Sequence, residues 1–301
     1  MYSFPKSIGH AFAEAARRID AADVRVLLCH VLRRDAAHLI AHADDLLESE
    51  PQRTFEALVA RRASGEPVAY ITGRREFFGL EFKVTRAVLI PRPETELLVD
   101  LALERIPQNG PCRVLDLGTG SGCVAIAIAR HRSKAQVVAV DTAEPVLAVA
   151  RENGAALLGS EVASTPRSPA EQEGGISFVR GKWYEALGCE RFNVIVANPP
   201  YVAEADPHLT QGDLRFEPRG ALIGGPDGLD ALRLIVAGAE RHLVPGGWLL
   251  FEHGYDQAAR CRALLHASGL GAIQSWKDLA GHERVTGGKA KLDESCLQPV
   301  N

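Results

Sequence analysis

An apolar segment rich in β-branched residues, residues 193–197, ends abruptly at Asn198-Pro199-Pro200-Tyr201. A short continuous run of this kind is typical of a strand buried on both faces, as in the middle of a parallel sheet. The two prolines end the strand, because their φ is fixed and they have no backbone N–H to donate. In open α/β sheets ligands bind at the carboxyl ends of the strands, so residues 198–201 are expected at a binding site.

The chemistry of these four residues suits a planar NH2 group. The Asn198 amide offers both a donor and an acceptor, and the Pro199 carbonyl offers a further acceptor. Together they could hold such a group by its two hydrogens while the Tyr201 ring stacks on it and favours positive charge on its nitrogen. This predicts a site that presents an amide or amine nitrogen to an electrophile. A turn that only ends the strand explains an isolated Asn-Pro-Pro equally well.

A second motif, Asp116-Leu-Gly-Thr-Gly-Ser-Gly122, follows an apolar strand that begins near Arg113. Its glycines allow a tight turn and a close approach of backbone to ligand. The spacing differs from the GxGxxG of dinucleotide-binding proteins, and a glycine turn alone is a weak signal. Asp116 is unusual inside an apolar strand and needs a donor, such as a ligand ammonium or backbone amides.

The segments after this turn predict a helix and a second strand. Residues 123–130 alternate like a strand in part, but the surrounding α/β pattern favours a helix. The next strand, residues 136–141, ends in Asp141, which is placed to bind ribose hydroxyls.

The chain divides into three parts by pattern. Residues 1–66 have helical periodicity and predict a small bundle, which is either a structural appendage or a docking domain for the substrate. Residues 67–90 contain short β-like pieces broken by glycine and predict a hairpin linker. Residues 91–301 alternate strand and helix from about residue 112, which predicts a doubly wound, mostly parallel sheet. Residues 159–175 are rich in Ser, Pro, Glu and Gly and predict a surface loop.

Composition excludes several other classes of protein. The net charge of −4 gives no overall basic field for nucleic acid. Six cysteines lie scattered without a CxxC pair, which predicts reduced thiols and no zinc site or other metal site. Charged residues interrupt the N-terminus, so no signal peptide is expected, and no apolar run has the roughly 18 residues of a membrane helix. These features predict a cytoplasmic protein that binds no membrane.

With the glycine turn, Asp141 and Asn198-Pro-Pro-Tyr201 in this order, the chain resembles class I S-adenosylmethionine-dependent methyltransferases that act on planar nitrogens. It resembles most the peptide chain release factor glutamine N5-methyltransferase family. A sister family that acts on a ribosomal protein has Pro-Arg-Ser-Pro where this chain has Pro91-Arg-Pro-Glu94, which favours the release-factor branch. The motifs that carry the resemblance are Ile90-Pro-Arg-Pro-Glu-Thr-Glu96, Arg215-Phe-Glu-Pro218, Glu252-His-Gly254 and Glu283-Arg-Val-Thr286.

The resemblance implies a seven-stranded Rossmann-like methyltransferase sheet with a small N-terminal helical domain. It also implies methyl transfer from S-adenosylmethionine to the glutamine of the Gly-Gly-Gln motif in release factors, by a protein that acts as a monomer without stable nucleic-acid binding. The helical domain would dock the substrate. By the same resemblance the catalytic residues are Asn198, Pro199, Pro200 and Tyr201, and the cofactor-binding residues are Asp116, Gly118, Thr119, Gly120, Ser121, Gly122, Asp141, Trp183 and Asn198.

One residue departs from the family pattern. An acidic residue that can accept from the adenine amine usually precedes the aromatic residue that corresponds to Trp183, but here that position is Lys182. The adenine contact therefore needs another acceptor, such as a backbone carbonyl.

Other functions share part of the pattern. The alternatives are glutamine methylation of a ribosomal protein and N6-adenine methylation of DNA, although the latter calls for a basic surface. An NAD-dependent dehydrogenase would explain the glycine turn and Asp141 but not residues 198–201. A binding module without catalysis would be expected to lack one of the motifs.

Overall fold

A computed structural model of the chain describes residues 5–159 and 174–292, which form two compact units. One unit comprises the chain up to Arg74 together with Thr210–Phe216. The other comprises Arg75–Leu209 and the chain from Glu217 onward. Most of the predicted surface loop, from residue 160 to residue 173, lies outside the described residues, as does Cys296.

The first unit is helical, as its periodicity predicts. Val24, Leu27 and Leu28 of its second helix are fully buried in a common core with Phe55 and Val59. Asp20 and Asp35 begin two of the helices by accepting a backbone N–H with a side-chain oxygen. The helices are α1 (Ile8–Ala15), α2 (Ala21–Leu32), α3 (Ala36–Ala41), α4 (Ser49–Ala63) and α5 (Val68–Thr72).

Helix α5 corrects the expectation of β structure for the whole of residues 67–90. Five apolar and β-branched residues have no periodicity that separates a helical turn from a strand, so packing decides. In the structure Ala69, Tyr70 and Ile71 are buried as a helical turn, and the hairpin begins only after Gly73. Its strands are β1 (Arg74–Phe77) and β2 (Leu80–Lys83).

The second unit contains the predicted seven-stranded sheet, in the order β5-β4-β3-β6-β7-β9-β8. Five strands are parallel, and β9 pairs antiparallel with both β7 and β8. The elements are α6 (Glu96–Arg105), β3 (Cys112–Leu117), α7 (Cys123–His131), β4 (Ala135–Asp141), α8 (Glu144–Leu158), β5 (Gly175–Arg180), β6 (Phe192–Ala197), α9 (Asp230–His242), β7 (Leu243–Glu252), α10 (Ala258–Ala267), β8 (Gly271–Lys277) and β9 (Glu283–Lys289).

Two apolar cores cover the two faces of this sheet. Successive residues of β3 point to opposite cores, since Val114 packs in one and Leu115 in the other. Helix α7 is confirmed as a helix, and all of its residues from Cys123 to Ala129 are buried. Its strand-like alternation therefore reflects burial on every side rather than a period of two.

The order of the strands locates a binding edge. From β3 the chain proceeds outward to β4 and β5, and then returns to pair β6 on the other side of β3. Such a reversal opens a crevice at the carboxyl ends of the central strands. Asp141 is the last residue of β4, and Asn198 follows directly on β6, so both lie at this edge. None of the helices within residues 5–159 and 174–292 has the length and apolarity that crossing a membrane requires.

Candidate active site

A cavity of about 350 Å³ lies at the carboxyl edge of the sheet, within the second unit. This volume is in the range of sites for small molecules. Arg92 also lines it, as do Pro218, Gly220 and Ala221 from the segment between β6 and α9. Of the residues predicted for the site, the cavity is lined by Asp116, Gly118, Thr119, Gly120, Ser121, Asp141, Trp183, Asn198 and Pro200.

Three predicted residues lie behind the lining. Gly122 precedes helix α7 with a φ of 83°, and a Cβ built there would approach Ile126 Cδ1 at 2.9 Å. It therefore sets how closely α7 packs on the strands. Pro199 is buried, and Tyr201 is half-buried and bonded to a neighbouring strand. The roles predicted for these three residues stay predictions.

Asp141 fastens the glycine turn to the end of β4. One carboxylate oxygen accepts the backbone N–H of Gly120 at 3.1 Å, and the other accepts that of Ala143 at 3.3 Å. Burial raises the pKa of this carboxyl above its ordinary value, and these N–H groups counter part of the rise. A carboxylate has further lone pairs on both oxygens, so Asp141 keeps acceptor capacity toward the cavity.

Asp116 is a buried carboxyl in the cavity wall. Its donor is the hydroxyl of Thr119, which lies 2.6 Å from Asp116 Oδ2. Burial raises the pKa of Asp116 to about 7, and the nearby charge of Asp141 adds to the rise, while the Thr119 hydroxyl opposes it. The sequence predicts a ligand ammonium or backbone amides as donors to Asp116. The backbone N–H of Ala125 also lowers its pKa, in line with that prediction, and the Thr119 hydroxyl is a donor that the prediction did not include.

Trp183 reaches the cavity through an uncommon backbone conformation. Its φ is 52°, which is rare for a bulky residue and costs free energy that the surrounding structure must offset. A Cβ on Gly118 would lie 3.5 Å from the indole ring, so the ring is adjacent to the glycine turn. The exposed Lys182 lines the cavity beside it.

Asn198 is half-buried, and a neighbour fixes its orientation. Its Nδ2 donates to Thr95 Oγ1 at 3.0 Å. Thr95 directly precedes α6, but its side chain makes no capping hydrogen bond to that helix. With Nδ2 engaged, the acceptor Oδ1 is the part of the amide left for a ligand.

Tyr201 and Glu252 form a second polar pair behind the cavity wall. The tyrosine hydroxyl donates to Glu252 Oε1 at 3.0 Å, and Glu252 is the last residue of β7. Burial raises the pKa of the Glu252 carboxyl, against the hydroxyls of Thr95 and Tyr201 and the charge of Arg284. Sequence reasoning missed both Thr95 and Glu252 as site residues, although each lies in a motif that it singled out.

The backbone around residues 200–202 is braced by a following loop. Gln257 Nε2 donates to the Tyr201 carbonyl at 2.9 Å, and Val202 bridges to Ile223. A Cβ on Gly228 would lie 2.3 Å from the same carbonyl, so only glycine permits this approach. The loop therefore adds backbone and side-chain contacts to the stiffness of the prolines.

Arg92 and Glu217 form an ion pair in the same wall. Arg92 Nη2 lies 2.5 Å from Glu217 Oε1, and the backbone N–H of Ile90 donates to Glu217 Oε2 at 3.4 Å. The Glu217 side chain is fully buried. Arg92 lines the cavity, whereas Arg215 bonds to the Ser64 carbonyl in the first unit.

Family models match two parts of the chain. The model of the PrmC N-terminal domain matches residues 6–73, and that of the methyltransferase small domain matches residues 95–213. The first range ends one residue before β1, in agreement with the extent of the helical unit.

Curated relatives match almost the whole chain. A release factor glutamine methyltransferase from Xylella fastidiosa is 50% identical over 277 residues, which is 92% of this chain and 96% of the relative. One from Burkholderia pseudomallei is 51% identical over 91% of this chain and 93% of its own length. Among solved structures, a methyltransferase from Pyrococcus furiosus superposes with a TM-score of 0.52 at 18% identity, covering 77% of this chain and 98% of its own, which shows a shared fold.

Proposed function

Since the chain belongs to the release factor glutamine methyltransferase family, we propose that it transfers a methyl group from S-adenosylmethionine to a glutamine side-chain nitrogen, N5, in the Gly-Gly-Gln motif of peptide chain release factors. The observation that carries this proposal is Asn198. Its Nδ2 is bonded to Thr95 at the cavity wall, so its Oδ1 can accept an N–H of a planar amide. A glutamine side chain ends in such an amide, whose NH2 group offers two N–H donors.

The cavity fits S-adenosylmethionine by chemistry and by size. Asp141 has acceptor capacity for ribose hydroxyls, and Trp183 offers a flat apolar face to an adenine ring. The ionised form of the buried Asp116 needs a positive partner, which an ammonium group would supply. When bound, S-adenosylmethionine supplies an electrophilic methyl group on a sulfonium.

The residues around Asn198 orient the nucleophile. An amide nitrogen is a weak nucleophile, because its lone pair is delocalised into the carbonyl. Asn198 Oδ1 and the Pro199 carbonyl would each accept one N–H and turn the lone pair toward the methyl group. Alignment of this kind removes several kcal/mol of the activation barrier, and about 7–11 kcal/mol in the best cases. The two acceptors also stabilise the positive charge that grows on nitrogen.

The proton balance needs no covalent step on the protein. The nitrogen gains a methyl group and then loses one of its two protons. Because a protonated amide is a strong acid, water can take this proton once transfer is complete. The Tyr201 hydroxyl is not a base for it, since burial and Glu252 raise the pKa of Tyr201 well above 10.

The helical unit is proposed as the docking domain for the protein substrate. A tripeptide has little surface, whereas a specific protein complex buries well over about 1,000 Å². Within the described residues of this unit, Ile40 and Leu46 are 79% and 68% exposed. Replacing both by serine should lower kcat/KM on an intact release factor and leave a short Gly-Gly-Gln peptide unaffected. Leu234→Ser, at an exposed leucine of the other unit, is the matched control.

The same proposal covers partners and place of action. Translation termination takes place in the cytoplasm, so an enzyme that modifies release factors is expected there. The net charge of −4 supports the absence of stable nucleic-acid binding. Monomeric behaviour stays a prediction that sedimentation would test.

The direct test is mass spectrometry of a release factor incubated with the protein and S-adenosylmethionine. The expected result is one methyl group on the glutamine of Gly-Gly-Gln, and none on a substrate in which that glutamine is replaced by glutamate. Parallel incubations with ribosomal proteins and duplex DNA test the two alternatives. Methylation of either of these, without methylation of the release factor, would overturn the proposal.

A further inference from the structure

Four polar side chains form two hydrogen-bonded pairs in and behind the wall that carries Asn198. Asn198 donates to Thr95, and Tyr201 donates to Glu252. Thr95 and Glu252 are each only 1% exposed, so neither can exchange its partners for bulk water. The neighbouring strands bring them together, because Ala197 of β6 pairs with Phe251 of β7 and the next residues are Asn198 and Glu252.

The direction of the hydrogen bonds in this cluster depends on the proton of the Thr95 hydroxyl. A threonine hydroxyl has one hydrogen to donate and can accept as well. Thr95 Oγ1 accepts from Asn198, so its own hydrogen must be directed elsewhere. Oε2 of the Glu252 carboxylate is buried and has no hydrogen-bond partner among the described residues, so this oxygen is an acceptor without a donor. The Thr95 hydroxyl lowers the pKa of Glu252, as a hydroxyl that donates to a carboxylate does. An unsatisfied buried carboxylate oxygen is costly, which favours this direction.

We propose that Glu252 is a positioning residue for methyl transfer: by accepting the Thr95 proton, it determines which end of the Asn198 amide faces the substrate. The chain of donors then runs from Asn198 Nδ2 to Thr95 and from Thr95 to Glu252. Asn198 Oδ1 is consequently presented to the cavity. This inference rests on the proposed function, because only a substrate that offers N–H groups requires the acceptor end.

The opposite arrangement shows what the carboxylate prevents. If Thr95 donated its proton to Asn198 Oδ1, the amide would be flipped and its NH2 group would face the cavity. A substrate NH2 would then meet a donor instead of an acceptor. At the same time Glu252 Oε2 would lose the Thr95 proton and remain buried without a donor. As a carboxylate Glu252 can only accept, and in that form it selects one of two amide orientations of nearly equal shape.

The variant Glu252→Gln tests this directly, because glutamine keeps the shape of glutamate but can donate. Its NH2 group can donate to Thr95, which then donates to Asn198 and flips the amide. The kcat for glutamine methylation is expected to fall by about tenfold or more, as for the loss of one aligned transition-state acceptor. The affinity for S-adenosylmethionine, measured by calorimetry, should stay within about twofold. Unchanged kcat would overturn the proposal.

A double-mutant cycle separates orientation from general damage. In the Asn198→Ala background there is no amide to orient, so adding Glu252→Gln should cause no further fall in kcat. Full additivity of the two losses would show that Glu252 acts independently of Asn198 and would overturn the proposal. Thr286→Val, a buried change on the adjacent strand β9, is the control that should lower stability without lowering kcat.

Two changes at Thr95 keep the test decisive if the Glu252 variant does not fold. Thr95→Ser retains the hydroxyl and should retain kcat. Thr95→Val removes it and leaves both amide orientations open, so kcat should fall, but less than in Glu252→Gln. Equal activity of the two Thr95 variants would overturn the proposal. A wild-type protein that methylates no release factor would instead contradict the proposed function, while a fully active wild type with a fully active Glu252→Gln contradicts only the role of Glu252.

Discussion

The two sides of the cavity are held in place by different means. On the side proposed for the cofactor, Asp141 binds backbone N–H groups, and Gly118 and Gly120 turn the chain with positive φ. On the side proposed for the substrate, side chains hold side chains, with Asn198 bonded to Thr95 and Tyr201 to Glu252. The first side is therefore built from neighbours at the ends of β3 and β4, and the second from residues that lie far apart in the chain.

This difference predicts different consequences of mutation. A change on the cofactor side should alter binding, because the affected groups contact the ground state. A change on the substrate side should alter turnover, because the amide is aligned only for the reaction. The following predictions test that division, beginning with the largest expected effect.

Asn198→Ala should lower kcat by about two orders of magnitude or more, as removal of a transition-state acceptor does. Cofactor affinity should change by no more than a few fold, since the cofactor side is intact. Turnover and calorimetric titration on the same preparation check both halves. A decrease in kcat of less than about threefold would contradict the role of the amide.

Asp141→Ala should weaken S-adenosylmethionine by about 1.5–3 kcal/mol, the contribution of a charge-assisted hydrogen bond. Because Asp141 also accepts from Gly120 and Ala143, part of the loss will come from a looser glycine turn. Asp141→Asn separates the two, since its side-chain oxygen can still accept one backbone N–H. Unchanged affinity in both variants would show that the two sides do not divide as described.

Asp116→Asn should alter the pH dependence of stability. The folded-state pKa of Asp116 is about 7, well above the ordinary value of 3.8, so the folded protein retains a proton that the unfolded chain releases. The free energy of unfolding should fall as pH rises from about 4 to about 7, by at most about 1.4 kcal/mol per unit from this group.

The asparagine variant lacks that proton, so its stability relative to the wild type should improve as pH rises across the same window. Urea unfolding of the cofactor-free protein at pH 5, 6 and 7 measures the difference. A difference that is constant with pH would show that Asp116 is ionised throughout.

Lys182→Glu should have the smallest effect, a few-fold gain in affinity for S-adenosylmethionine. Lys182 lines the cavity beside Trp183, at the position where the family resemblance leads to the expectation of an acidic acceptor for the adenine amine. Lys182→Gln is the control for loss of the positive charge alone. Weaker binding by the glutamate variant would place the adenine away from this residue.

Much of the fold followed from local pattern, for a physical reason. Strands buried on both faces and helices between them leave one arrangement, a parallel sheet covered on both sides, and the structure confirms it. The exception was α5, where five residues have no usable periodicity and burial of Tyr70 and Ile71 decided the outcome. The residues predicted for the cofactor were also found together, because strand ends at one edge of a sheet are neighbours by geometry.

The sequence by itself determined the sheet, its binding edge and the residue types at Asp116, Asp141 and Asn198, since each depends on a local motif. Only the tertiary structure decided the partners of Asn198 and Tyr201. Thr95 lies 103 positions from Asn198 in the chain, and Tyr201 lies 51 positions from Glu252. A hydrogen bond between such residues requires two strand ends and a helix start to be brought within about 3 Å, and no local pattern contains that distance.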